Sequence, residues 1–398
     1  MTSFLTLFFS LGFSARTWTN DLFQLPLLEP LMIESKKMLG LYLCFFVVVL
    51  AFFIAKWIIP QAIKFAHRFH LVDHPNFRKE HLTSTPILGG VSIFISVVFT
   101  LGLTSLLLYN FPNLELNFKI VFGLCSAVSL MVFFGLKDDI LEVGPLEKVI
   151  FQIITALFVI ISCEIRIDSF DGLFGVYQLP TIFSYVFSVF VFVIVVNAFN
   201  LIDGIDGLSA SVGLISTLCF GLFFFLNAEI IQAVIMFCYS GALASFLVFN
   251  FKKKVFLGDN GSMSLGVVIA FGVFSVISIT NEANLINETG LVINNAIVIV
   301  LALVSFPLLD TIRVFCIRLM QGKSPFLPDR NHLHHHLLKF KLSHIESTVL
   351  VVIYTLIVTG IAIALNSLDI TKHFFSMLFL SSFIYLISWR SKRQLNNP

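Results

Sequence analysis

Long uninterrupted apolar runs decide what this 398-residue chain can fold into. A helix needs about 20 consecutive apolar residues to cross a bilayer. Runs near that length recur at 38–59, 86–109, 118–136, 149–164, 181–198, 208–226, 230–250, 262–279, 291–312, 347–366 and 373–389. They are continuous rather than alternating, which excludes a transmembrane β-barrel. Hydrophobic residues make up 58% of the chain and charged residues 12%, against roughly 25% charged in soluble domains. The expected fold class is therefore all-α, a polytopic membrane protein of about 11 transmembrane helices.

An odd number of spans puts the termini on opposite sides. The loops near 60–85, 137–148, 199–207, 251–261 and 313–346, with Lys56 and the C-terminal tail, hold 19 of the 25 Lys and Arg. The positive-inside bias makes that side cytoplasmic, with the N-terminus outside. The run Phe4–Phe13 is too short to span and has no positive residue before it, so it reads poorly as a signal peptide. The six Cys form no CxxC pair and read as small buried hydrophobes. No Asp, Glu, Lys, Arg or His falls in the middle of a span, which disfavours ion-coupled transport. Nine of the ten His lie on the cytoplasmic side, so that is where chemistry is expected.

Four polar clusters stand out there. Gly135-Leu136-Lys137-Asp138-Asp139 ends the third span. Its adjacent carboxylates suit a divalent ion or a general base, and equally a solvated helix end. Asn197-Ala198-Phe199-Asn200-Leu201-Ile202-Asp203-Gly204-Ile205-Asp206-Gly207-Leu208 joins two spans. Its oxygens suit a hard cation such as Mg²⁺, although Asp206 alone could cap the sixth span. Leu257-Gly258-Asp259-Asn260-Gly261-Ser262 opens the eighth span, where Asp259 would attract a phosphate-bound Mg²⁺. Ser324 to His336 carries Arg330, His332, His334, His335 and His336. Adjacent His converge poorly on tetrahedral zinc, so phosphate or sugar contacts fit them better. A fifth stretch, Val72–Lys79, reads equally as cytoplasmic anchoring.

Taken together, NxxNxxDGxDGL at Asn197–Leu208, the turn Gly258–Gly266, the Asp138-Asp139 pair, Val72–His81 and Ser324–His335 resemble the polyprenyl-phosphate N-acetylhexosamine-1-phosphate transferases, the MraY/WecA-like family. The likeness covers about residues 40–390 and looks closest to the WecA branch. It implies transfer of GlcNAc 1-phosphate from UDP-GlcNAc to undecaprenyl phosphate, giving the lipid-linked sugar pyrophosphate and UMP. This would be the first membrane step of a cell-surface polysaccharide such as O-antigen. It implies a Mg²⁺ or Mn²⁺ cofactor, no nucleic-acid partner, a multi-pass protein of the bacterial inner membrane with its site facing the cytoplasm, and room for a homodimer.

By motif, the resemblance makes Asp259 the principal metal ligand, with Asn200 a second. Asp138 and Asp139 are catalytic beside Asp259. Asp203, Asp206 and Lys79 face the nucleotide. Lys148, Arg330, His332, His334 and His335 face phosphate and sugar, while Asn197 is structural. The domains expected are an extension over 1–37, interfacial or partly disordered, a catalytic membrane domain over 38–391, and a tail over 392–398. Transfer is expected in one step rather than through a phosphorylated Asp. The competing readings are the same chemistry with UDP-GalNAc, UDP-QuiNAc or UDP-MurNAc-pentapeptide, and, more distantly, a membrane transporter.

Overall fold

The computed structural model describes residues 29–73, 84–108, 118–282, 294–322 and 342–390. Each apolar run becomes a helix, because in lipid only a helix or a closed barrel satisfies every backbone N–H and C=O internally. In chain order the helices are α1 (Glu29–Arg68), α2 (Gly89–Leu108), α3 (Phe118–Leu141), α4 (Pro145–Ser162), α5 (Thr181–Leu201), α6 (Leu208–Leu226), α7 (Ile230–Asn250), α8 (Gly258–Glu282), α9 (Ala296–Leu303), α10 (Ser305–Met320), α11 (His344–Ala364) and α12 (Ile370–Arg390). Among the described residues, nine helices are long and apolar enough to cross a membrane, or ten if α9 and α10 make one span. The only strands described are the antiparallel pair β1 (Val72–Asp73) and β2 (Thr85–Pro86).

Helix α8 is the axis of the bundle. It touches α2, α3, α5, α6 and α9, and 83% of its spanning window is buried. Missing side chains bring its neighbours this close. A Cβ on Gly90 of α2 would lie 2.2 Å from Gly261 Cα, and one on Gly135 of α3 would lie 2.4 Å from Asn260 Cα. Both contacts fall on the first turn of α8, so glycine fixes the approach where the polar clusters meet.

Helix α1 is described from Glu29, and its membrane-crossing part runs Met38–Arg68. One feature departs from the expected spans. The single span expected over 291–312 is broken: α9 and α10 meet at Val304 with a bend of 71°. Pro307 explains the break, since it lacks the N–H that would bond Leu303 and its ring crowds that carbonyl. Beyond the bend, α10 runs to Met320 and carries Asp310, Arg313 and Arg318. Asp310 is fully buried. It accepts a hydrogen bond from Tyr385 Oη of α12 at 2.7 Å and pairs with Arg313 at 3.5 Å. The ninth hydrophobic segment therefore leads into a charged helix, which the charge-free middle of the sequence run did not show.

Candidate active site

Asp138 and Asp139 are neighbours on α3, and neighbours on a helix point about 100° apart. The structure gives them different partners. Asp139 turns to the start of α8, where its Oδ1 accepts the Asp259 N–H at 2.8 Å. Its Oδ2 accepts the Asn260 N–H at 3.1 Å and the Asn260 side-chain amide at 2.6 Å. Those backbone donors belong to the first turn of α8, which has no intrahelical acceptor for them. Asp139 thus caps α8 from another helix, and its negative charge suits that helix end. Asn260 also donates to Ile87 O at 2.7 Å and accepts the Val91 N–H at 2.9 Å, tying the same turn to the start of α2.

Asp138 is buried at the α3–α4 turn. Its Oδ1 accepts the Val143 N–H at 2.9 Å, and its Oδ2 pairs with Lys148 on the second turn of α4. The same Lys148 ammonium donates to Asp259 Oδ2 at 3.0 Å. One cation therefore bridges two carboxylates, and Asp259 keeps a third of its side chain exposed.

The α5–α6 loop supplies the next set. Asn197 and Gln152 exchange amide hydrogen bonds at 2.6 and 3.3 Å, and Asn197 also donates to Val193 O at 2.8 Å. Its side chain is spent on packing α5 against α4. Asn200, one turn on, donates to Ser262 Oγ of α8 at 3.3 Å and also bonds Asp259. Burial pushes the Asp203 carboxyl well above the usual carboxylate range, and repulsion from Asp259, Asp139 and Asp206 adds to the rise. Asp206 faces the other way. Its Oδ2 lies 2.7 Å from His344 Nδ1 on the first turn of α11, and its carbonyl accepts from Thr348 Oγ1 at 3.2 Å. It does not cap the sixth span: Gly207 takes that position with φ of 78° and no side-chain cap bond.

These groups line one cleft of about 800 Å³, within the range of small-molecule sites. Asp138, Asp139, Lys148, Asn200, Asp203, Asp206 and Asp259 are all on its wall. Phe315 and Arg318 of α10 join them. Arg318 is buried. It was read in the sequence only as part of a cytoplasmic loop, because the ninth span was expected to end at 312. His344 was also missed. The Ser343–Glu346 spacing reads as a capping box, but nothing in the sequence links it to Asp206.

Lys79, Arg330, His332, His334 and His335 lie outside the described residues. The chain leaves α10 just past Arg318 on the cleft wall and returns at α11, where His344 holds Asp206. Both described ends of the 323–341 segment therefore flank the cleft. Asp73 of β1, just before the segment with Lys79, lines it as well.

The donor set fits a hard divalent cation. Among the described residues no three carboxylate, His or Cys side chains form a ready cage. Mg²⁺, however, is commonly held by one or two carboxylates with water and substrate phosphates. Asp259, partly exposed beside the Asn200 amide, is such a donor, and a cation there would relieve the repulsion at Asp203.

Residues 121–279 match the profile of glycosyl transferase family 4. That region contains both Asp pairs, Lys148, Asn200 and Asp259, and leaves Arg318 and His344 outside it. Over 308 residues the chain is 29% identical to the undecaprenyl-phosphate alpha-N-acetylglucosaminyl 1-phosphate transferase of Salmonella typhi, covering 76% of this chain and 78% of the relative. The protein of the same name from Escherichia coli K12 is 28% identical with the same coverage. The decaprenyl-phosphate N-acetylglucosaminephosphotransferase of Mycolicibacterium smegmatis is 29% identical over 321 residues, 77% of each chain.

Proposed function

We propose that this chain transfers GlcNAc 1-phosphate from UDP-GlcNAc to undecaprenyl phosphate, releasing UMP. The observation that carries the reading is Asp259: a partly exposed carboxylate at the start of a buried helix, bridged through Lys148 to Asp138, in a cleft at the ends of lipid-embedded helices. The names of the relatives supply the substrate class.

In this reading an oxygen of the lipid phosphate attacks the β-phosphorus of the nucleotide sugar. The bond from that phosphorus to the bridging oxygen breaks, and UMP leaves with the electron pair. Phosphoryl transfer of this kind depends on positioning and charge neutralisation more than on covalent chemistry by the protein. Asp259 and Asn200 would hold Mg²⁺ or Mn²⁺, which when bound neutralises diphosphate charge. Lys148 shields incoming phosphate from Asp138 and Asp259. Asp138 orients the lipid phosphate through Lys148, with little need to act as a base, since a phosphate monoester has its second pKa near about 6. Asp139 acts through the α8 turn that carries Asp259. Asp203, Asp206 and Lys79 serve the nucleotide, and Arg330, His332, His334 and His335 serve the sugar and diphosphate. The reading has the cleft facing the cytoplasm of a bacterial inner membrane, with the N-terminus outside.

The test uses purified chain in detergent with undecaprenyl phosphate, Mg²⁺ and a panel of UDP-sugars, following UMP release. The expected result is release with UDP-GlcNAc, lost on chelation and in Asp259→Asn. Release with UDP-GalNAc, UDP-QuiNAc or UDP-MurNAc-pentapeptide instead would keep the chemistry and change the donor. No release with any donor from folded protein would overturn the reading.

A further inference from the structure

The α5–α6 loop needs an outside anchor. It contains Gly204 and Gly207, and Gly207 sits at positive φ, a conformation open to glycine at little cost. Its Asp203 is repelled by Asp259 and Asp139 across the cleft. The start of α6 offers the loop no side-chain cap. Ser209 Oγ ties the start of α6 to Phe199 O at 3.0 Å and the Phe251 ring lies against Gly207, while at Asp206 the first turn of α11 meets the loop. There Ser343 Oγ accepts the Glu346 N–H at 3.2 Å, and the Glu346 carboxylate accepts the Ser343 N–H at 2.7 Å. This capping box sets where α11 begins. It makes His344 the first helical residue, and Thr348, four residues on, shares its face.

The two side chains grip one residue. The His344 Nδ1–Asp206 Oδ2 contact is 2.7 Å, and Thr348 Oγ1 donates to Asp206 O at 3.2 Å. The Asp206 N–H lies 3.3 Å from the same Nδ1; a carboxylate oxygen can only accept, so in the tautomer that bonds Oδ2 the Nδ1–H is the donor. The Asp206 carboxylate also sits at the start of a helix, where its charge is favoured. Asp206 is only 6% exposed, so breaking this hold would leave a buried carboxylate without that donor, an unfavourable state.

We propose that His344 is a positioning residue for the nucleotide donor: through Asp206 it locks the Asp203–Gly207 wall of the cleft in the geometry that binds UDP. The inference rests on the function proposed above. His344 need not touch substrate for this, and it links the cleft wall to the described end of the segment that carries Arg330 and the His cluster.

The test compares His344→Ala, His344→Asn and Thr348→Val with the full-length parent chain in detergent. Steady-state UMP release is followed with UDP-GlcNAc and undecaprenyl phosphate varied separately, and UMP affinity is measured by calorimetry. The expected result for His344→Ala is a rise of about tenfold in donor KM and in the UMP Kd, the scale of one hydrogen bond to a charged group. The lipid KM and kcat should stay within about twofold of the parent. His344→Asn, which keeps an N–H near the position of Nδ1, should recover most of the donor KM. Thr348→Val should raise it only about twofold to threefold. A merely structural defect would lower the active fraction and kcat and leave donor KM alone. An unchanged donor KM in His344→Ala, with the parent turning over, would overturn the positioning role and leave the function standing. A parent that binds no UMP and turns over no UDP-sugar would overturn both.

Discussion

Asp139→Asn separates a capping carboxylate from one that touches substrate. In the parent, Asp139 accepts three donors from the first turn of α8: the Asp259 N–H, the Asn260 N–H and the Asn260 amide. Two of these converge on Oδ2. An Asn side chain has one oxygen, so in either orientation its NH₂ group faces at least one N–H donor. An unsatisfied buried donor costs about 1–3 kcal/mol, and lost charge at the helix start costs about 0.3–1 kcal/mol more. The sum is roughly 1.3–4 kcal/mol. At about 2.1 cal/mol/K per residue, a chain of this size has an unfolding entropy near 0.8 kcal/mol/K, so Tm should fall by about 2–5 °C. Turnover should fall as well, by up to about 100-fold, because Asp259 rides on the displaced turn. The assay is a thermal melt in detergent beside UMP release, with Asp138→Asn as the control. That control keeps an acceptor for the Val143 N–H and loses the Lys148 pair. It should cost less Tm and at least as much kcat. If Asp139→Asn melted with the parent while losing all turnover, the capping argument would be refuted and Asp139 would belong among the substrate contacts.

Gly90→Ala should destabilise the protein by at least about 1–3 kcal/mol, read as a lower melting temperature, because its Cβ would lie 2.2 Å from the Gly261 backbone. Lys148→Ala removes the cation between Asp138 and Asp259. Its melting temperature should fall, and Mg²⁺ should raise it more than in the parent, since a divalent ion can replace the missing charge. Equal Mg²⁺ shifts in the two proteins would argue that the ion sits elsewhere. Tyr385→Phe deletes the hydrogen bond to buried Asp310 and should cost about 1–3 kcal/mol in a chemical-denaturation series, with the loss read at the α10–α12 contact by cross-linking rate.

Helix existence was legible because lipid leaves an apolar run of this length little choice but to be a helix. The break at Val304 was legible only in part. Pro307 marked it, but the run on either side is apolar and read as one span. That error hid Arg318, because ending the span at 312 sent it to a loop. The site motifs were legible as residue types in short polar stretches between apolar runs. Their roles were less so, since Asp138 and Asp139 are adjacent in sequence and the 100° step between them decides which turns to Lys148 and which caps α8. The His344–Asp206 contact spans 138 residues, and no local pattern announces a pair that tertiary packing alone creates.

The cleft therefore divides its acids by what each helix end requires. A helix that starts inside a bundle must find acceptors for its first N–H groups, and Asp139 gives its charge to that need. Asp206 gives its charge to the start of α11 through His344. Lys148 is shared between Asp138 and Asp259, so one positive charge faces two negative ones. Asp203 is left beside them, with its carboxyl held toward the neutral form by burial and by its acidic neighbours. The charge not absorbed by structure thus rests at Asp259, on the side where the Asn200 amide lies. In the proposed reading Asp259 and Asn200 would hold a divalent cation that arrives with the diphosphate, and without that cation the same imbalance would repel the diphosphate.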